Sequence, residues 1–280
     1  MLSRCAEHTP ATLPDLHILR SMKSPMSCLA HAVAARLARC LTALALLSLP
    51  PAFAGTPAVS SSATAPPVPD TLQQRIAACV ACHGAHGEGS PGSGFFPRLA
   101  GKPAGYLARQ LADFQNGLRQ YAPMEYTVRG LNADYLREIA GYFAAQQVPY
   151  ARSPLPILPA QALQRGEQLV TQGDAARGVP ACSRCHGSQL TGVQPDIPGL
   201  VGMPYDYISA QLGAWRTHTR ATVAPDCMAE VAGRLSESDI TAVAAWLASR
   251  ELPADMHAQP AGSVQPPLRC GVLAGNGAGT

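Results

Sequence analysis

Cys79-Val80-Ala81-Cys82-His83 and Cys182-Ser183-Arg184-Cys185-His186 decide how the rest of this chain is read. The spacing C-x-x-C-H is the attachment signature of a c-type haem. Two thiols about one helical turn apart can each add to a vinyl group of one porphyrin. The histidine after the second thiol then lies under the ring and presents an imidazole nitrogen to the iron. A C-x-x-C pair also fits half a zinc site or a thioredoxin-like dithiol. Zinc would use paired C-x-x-C units converging on one metal, and gives no reason for a histidine at the same place in both. A redox dithiol belongs in a βαβ pattern, and no β-rich run flanks either copy. Two copies with matching downstream sequence therefore point to two covalently bound haem c groups. Cys79, Cys82, Cys182 and Cys185 are the attachment residues, and His83 and His186 are iron ligands.

Outward from the motifs, the chain repeats itself. Cys182 follows Cys79 by 103 residues, Leu200 follows Leu99 by 101, and Met228 follows Met124 by 104. Such small drift, falling in loops, marks one fold duplicated. In the first copy (70–147) Asp70 is placed to cap a short helix running from about Thr71 into the motif. Further helices are expected from about Pro103 to Asn116 and from about Asn132 to Gln146. The inward residues of the last helix are Leu136, Ile139, Tyr142 and Phe143. In the second copy (160–251) helices are expected over Ala160 to Gln172 and Ser236 to Arg250, the latter with Ile240, Val243, Trp246 and Leu247 inward. Pro103, Tyr106, Gln110, Leu111 and Phe114 correspond to Pro204, Tyr207, Gln211, Leu212 and Trp215. Residues 148–159, with four prolines, read as an extended linker. Residues 252–280 read as a disordered tail. The glycines from Gly84 to Gly94 resemble a nucleotide loop only superficially, since no strand precedes them. His86 reads as a solvated loop residue.

Residues 1–54 look like an address rather than a fold. Arg36 and Arg39 flank an apolar run of ten, Cys40 to Leu49, and Ala52-Phe53-Ala54 supplies a small-x-small cleavage pattern. The run is too short to span a bilayer comfortably. A cleavable signal peptide cut near Ala54, export to the periplasm and a flexible linker over 55–69 are the expectations. The alternative is an uncleaved anchor. Pro10, Pro14 and Asp15 make an odd leader start, so translation is expected from Met22 or Met26. Without the leader the chain holds sixteen basic and sixteen acidic residues. A neutral polypeptide with no clustered basic surface excludes nucleic acid as a partner. Cys227 and Cys270 remain beyond the four haem cysteines. In an oxidising compartment they can pair, the alternative being two free thiols.

Each copy has roughly 80 to 90 residues, small enough that its own side chains bury a marginal core, which a covalent haem completes. Helical periodicity without alternating strand runs gives an all-α fold, built twice in tandem. Met/His ligation is the general rule for cytochromes c, and a thioether sulfur favours ferrous iron. Met124 and Met228 recur in both copies, 41 and 42 residues past their histidines. They are assigned as the sixth ligands. Met203 has Lys102 at its matching place, and Met256 lies in the tail. Cys227 is the rival ligand at the second haem.

This layout resembles the dihaem cytochrome c4 family, which implies an all-α fold of two tandem class I cytochrome c-like haem domains. The resemblance covers nearly all of Asp70 to Arg250: both C-x-x-C-H-G units, the Pro-x-Leu-x-Gly stretches, the Tyr-x-x-x-Gln-Leu helices and the Gly173 to Pro180 lead-in. It implies that Pro97 and Pro198 turn their carbonyls toward the histidines, and that the two haems lie close enough for rapid internal electron transfer. It also implies an electron carrier working between a quinol-oxidising complex and a terminal oxidase or reductase, with room for loose association with the inner membrane. The alternative is a dihaem enzyme or the electron-transfer subunit of a periplasmic dehydrogenase or peroxidase. A peroxidase needs an open iron and an acid–base pair. A sulfur-compound dehydrogenase could use Cys227 as a ligand or a covalent substrate site. No catalytic residues are assigned.

Overall fold

Thr71 starts the first helix, α1 (Leu72–His83), by accepting a hydrogen bond from the Gln74 amide at 3.3 Å. Asp70, the cap expected from the sequence, is instead engaged by Arg75, whose Nε and Nη2 each donate to it at 2.9 Å. A guanidinium fork offers a carboxylate two bonds from a charged donor where a cap amide is an uncharged donor, so the carboxylate goes to the arginine. The computed structural model describes residues 70–273. The expected leader, its cleavage near Ala54, the 55–69 linker and residues 274–280 lie outside the described residues.

After α1 come α2 (Ala104–Gln115), α3 (Ala122–Val128) and α4 (Ala133–Ala144). Asn132 caps α4 by accepting from the Tyr135 amide at 2.9 Å. α4 packs on α1 and α2 through Ile76, Leu107, Ile139, Ala140 and Phe143. A second patch, Phe114, Val128 and Leu136, closes the other side. Leu136, Ile139 and Phe143 face inward as expected, while Tyr142 is only partly buried. Met124 lies on α3, whose start is secured by the Glu125 carboxylate accepting from the Tyr121 amide at 2.7 Å.

The second copy repeats this plan with α5 (Ala160–Thr171), α7 (Tyr205–Arg216), α8 (Cys227–Gly233) and α9 (Glu237–Ser249). The expected α9 residues Ile240, Val243, Trp246 and Leu247 are all buried. α5 lies close along α9 because Gly166 has no side chain; a Cβ there would collide with the Ala242 carbonyl. One departure matters. In the first copy a single helix runs through the haem motif. In the second, α5 stops at Thr171, and β1 (Gly173–Asp174) pairs antiparallel with β2 (Val179–Pro180). The chain then restarts as the one-turn α6 (Ser183–His186). Pro180 lacks the amide a continuing helix needs, and Gly178 takes a left-handed φ of 66°. A second two-residue ladder joins β3 (Gly192–Val193) to β4 (Ile197–Pro198). The fold is all-α with these two short ladders. Among the described residues no helix is long and apolar enough to cross a membrane.

Residues 252–273 correct the expectation of a disordered tail. Leu252 and Met256 pack on the second core. The Gln259 amide donates to the Gly192 carbonyl and its own carbonyl accepts from the Gln194 amide, both at 2.9 Å. Cys227 and Cys270 form a disulfide with their Cα atoms 5.2 Å apart. A segment poor in apolar side chains is ordered here by backbone pairing and a covalent link, neither of which hydrophobic patterning reveals.

Asp239 ties α9 to α5 and the hairpin. It accepts from Arg165 Nε at 2.9 Å, Arg177 Nη1 at 2.7 Å and the Ser236 amide at 3.0 Å. Burial alone would raise its pKa; the hydrogen bonds from Arg177, Ser236 and Arg165 outweigh this and hold it well below the usual carboxylate range. With a depressed folded pKa, its contribution is whole above the ordinary value of about 3.9 and is lost as pH falls below it. Asp239→Asn should cost about 2 kcal/mol at neutral pH. Thermal melts should also show a shallower loss of stability between pH 4 and pH 2 than in the parent. A variant as stable and as acid-sensitive as the parent would contradict this.

Candidate functional site

Each copy builds its site from its motif, its Pro-x-Leu-x-Gly stretch and its methionine helix. In the first, α1 brings Cys79, Cys82 and His83 to one wall of a cavity of about 400 Å³, and α3 brings Met124 to the same cavity. That volume lies in the range of cofactor sites. In the second, α6 and α8 bring Cys182, Cys185, His186 and Met228 to two adjoining cavities of about 120 and 110 Å³, which share Cys185, His186 and Met228. The four motif cysteines thus serve two separate sites rather than one metal.

Both histidines are buried and oriented alike. His83 Nδ1 lies 2.8 Å from the Pro97 carbonyl, and His186 Nδ1 lies 2.8 Å from the Pro198 carbonyl. A carbonyl can only accept, so Nδ1 carries the proton and Nε2 keeps its lone pair for a metal. Burial lowers both histidine pKa values, which favours the neutral imidazole that coordination requires. Both turns are set by glycines after the histidine, Gly84 and Gly187, each with φ of 87°. The carbonyl orientation implied by the family resemblance is present in both copies.

The remaining candidates sort themselves by position. Met203 belongs to the second core and touches one of its two cavities, whereas Met228 reaches both. Cys227 lines a cavity too, but its sulfur is bound to Cys270. It therefore offers no thiolate to iron or to a substrate, which removes the reading of Cys227 as ligand or covalent substrate site. His86 is exposed.

A cluster that sequence reasoning missed joins the two sites. Arg119 and Arg220 face each other across an antiparallel bridge. Arg119 donates to Gln110 Oε1 (3.0 Å), Tyr207 OH (3.1 Å) and Gln211 Oε1 (2.8 Å). Arg220 mirrors it, donating to Gln211 Oε1 (2.7 Å), Tyr106 OH (3.3 Å) and Gln110 Oε1 (2.8 Å). Tyr106, Gln110 and Arg119 are each followed 101 residues later by Tyr207, Gln211 and Arg220. That shared offset was the available signal. Lys102 lies beside them, lining the first cavity and one of the second pair, and burial pushes its ammonium down to about 8. The carboxylate of this cluster, Asp113, accepts from Gln110 and Thr222 at 3.2 and 3.3 Å.

Three cations drawn inward around such cavities, with only neutral hydrogen-bond partners, suit an apolar group that carries carboxylates. A haem, a flat apolar ring with two propionates, has that character. The apolar walls, the C-x-x-C-H motifs, the neutral imidazoles and the cationic shared edge all fit it.

Comparison with known proteins agrees. The cytochrome c family pattern matches residues 73–137 and again 163–251. The thiosulfate dehydrogenase electron acceptor of Thiomonas intermedia is 39% identical over 209 residues, covering 75% of this chain and 91% of that one. Cytochrome c4 of Pseudomonas aeruginosa is 36% identical over 177 residues, covering 62% and 85%. The crystal structure of reduced cytochrome c4 from Pseudomonas stutzeri superposes with a TM-score of 0.52 at 29% identity, covering 64% of this chain and 96% of that one. With its duplicated helical module, its paired histidine cavities and these relatives, the chain belongs to the cytochrome c family as a dihaem, cytochrome c4-like electron carrier with two covalently attached haem c groups.

Proposed function

We propose that this protein is a periplasmic single-electron carrier that accepts electrons from a dehydrogenase of inorganic sulfur compounds and delivers them to a terminal oxidase or reductase. One observation carries the reading: each copy brings its buried motif histidine and its recurring methionine to the same site, a ligand for each face of an iron. The name of the Thiomonas relative supports the sulfur donor. The likeness to cytochrome c4 favours a second reading, in which the donor is a quinol-oxidising complex.

The haem irons, when bound, supply the one-electron exchange. The chain's residues prepare for it. Cys79 and Cys82, and Cys182 and Cys185, would hold the two rings by thioether bonds. His83 and His186 offer Nε2 because Pro97 and Pro198 occupy the Nδ1 proton. Met124 and Met228 would offer each iron a soft, uncharged thioether, which favours the ferrous state. Apolar walls keep water from the site, and Arg119, Arg220 and Lys102 answer the propionate charge.

Two experiments test this. Met124→Ala should abolish the near-red sulfur-to-iron absorption of the first ferric haem, and Met228→Ala that of the second. Each should lower the potential of its own haem by on the order of 0.1 V, within the span that axial ligands command. Intact mass should still show two haems per chain; variants that keep both absorption bands would remove the methionine assignment. For the donor, the oxidised protein is mixed with thiosulfate and a purified thiosulfate dehydrogenase, or with quinol and a quinol–cytochrome c reductase. Rapid reduction is expected in the first mixture. Reduction in the second mixture alone would transfer the assignment to the quinol-oxidising complex.

A further inference from the structure

A duplicated fold gives two matching sites, yet the chain beyond α9 makes them unlike. Residues 259–273 run back over the second copy. The strap is pinned at one end where Gln259 pairs with Gly192 and Gln194, and where its side chain donates to Ser188 Oγ at 2.9 Å. At the other end it is pinned by Cys270 to Cys227. Between and beside these anchors, Pro266, Leu268, Cys270, Val272 and Leu273 form part of the wall of the cavity that holds His186 and Met228.

The strap also presses on the loop leading into α8. The Gly271 amide donates to the Pro225 carbonyl at 2.9 Å, and a Cβ on Gly271 would meet the Ala224 carbonyl. Asp226, next in line, caps α8 by accepting from the Met228 and Ala229 amides at 3.1 and 3.0 Å. Residues 224 to 228 are therefore held in sequence: by the strap's backbone, by a cap and by a covalent bond one residue before Met228. The first copy has no strap and no disulfide at its methionine turn, which is held by the Glu125 carboxylate accepting from the Tyr121 amide. Pro123 stands where Cys227 does, and the rim of its cavity carries Phe95 and Phe96, which are 66% and 37% exposed.

We propose that the C-terminal strap is a positioning element for the second haem alone: it fixes the turn that carries Met228 and walls that site from solvent. The proposal rests on Met228 being the sixth ligand. A ligand on a short helix dissociates whenever its turn opens locally, and access of outside ligands follows the population of that opening. Anchoring the turn on both sides lowers that population at the second haem and leaves the first as the more accessible of the pair.

The test compares cyanide binding to the two ferric haems of the holoprotein with the near-red absorption of each. Three variants loosen the strap by different means: Cys227→Ala with Cys270→Ala, deletion of residues 264–280, and Gly271→Val with both cysteines retained. Each should speed cyanide binding at the second haem by about tenfold or more and weaken its near-red band, while the first haem is unchanged. If the deletion does not fold, the two substitution variants decide. Unchanged cyanide binding at the second haem, or equal acceleration at both haems, would overturn the proposal. Met228→Ala separates the two ideas. Should that variant keep the second haem's band, the ligand assignment and this proposal both fall. Should it lose the band while the strap variants behave like the parent, only the strap proposal falls.

Discussion

Drawing Lys102, Arg119 and Arg220 out of water between the two sites is the constraint on which the joint between the modules depends. Each unpaired charge taken inside costs several kcal/mol, while a hydrogen bond to a neutral tyrosine or glutamine returns about 1 kcal/mol. Tyr106, Tyr207, Gln110 and Gln211 therefore orient the guanidinium groups without compensating them. Arginine stays charged in any such setting, so the strain shows at Lys102, whose pKa falls to about 8. One carboxylate, Asp113, stands in the cluster against these three cations, and the haem propionates would supply the rest of the complement. Cofactor attachment and docking of the two modules are on this account one event, because the same cations serve both.

The apolar side of the site points the same way. In the first module two separate patches, one around Phe143 and one around Phe114, face the same cavity of about 400 Å³. A hollow of that size in a protein interior costs on the order of 10 kcal/mol, comparable to the whole stability of a domain. The polypeptide must therefore fold around its ring rather than receive it into a finished pocket. The second module meets the same demand differently. Its core is one continuous cluster from Leu169 to Leu247, tightened by the contact at Gly166 and by the Asp239 network. Its cavities are correspondingly smaller.

Much of this was legible in the sequence, because chemistry with fixed spacing leaves fixed marks. The two C-x-x-C-H units, the helices at 3.6-residue spacing and the recurring Met124 and Met228 need no long-range information. What stayed hidden depends on contacts between distant segments. Thr71 rather than Asp70 caps α1 because Arg75 competes for the carboxylate. Helix α5 ends before the motif because Gly173 to Pro180 turns into a hairpin, although the stretch was visible as a lead-in. Arg119 and Arg220 follow the ends of their helices and read as ordinary loop residues; only their equal offset in the repeat sets them apart. Residues 252–273 have no pattern to read, since backbone pairing and one disulfide order them.

The mirrored arginines also bear on how two haems work as one carrier. Arg119 belongs to the first module yet bonds Tyr207 and Gln211 of the second, and Arg220 does the reverse. A charge added at either site is therefore felt through a guanidinium held rigidly by the other module. In an interior of low effective dielectric such a field reaches further than in water. Reducing one iron must then make the other harder to reduce, even if the two sites were chemically identical. They are not identical, since the strap walls the second while Phe95 and Phe96 line the rim of the first. Coupling across the joint with unequal access at its two ends lets a symmetric duplication conduct in a preferred order. The cationic joint sets how strongly the sites sense each other, and the chain beyond α9 sets which of them the outside reaches first.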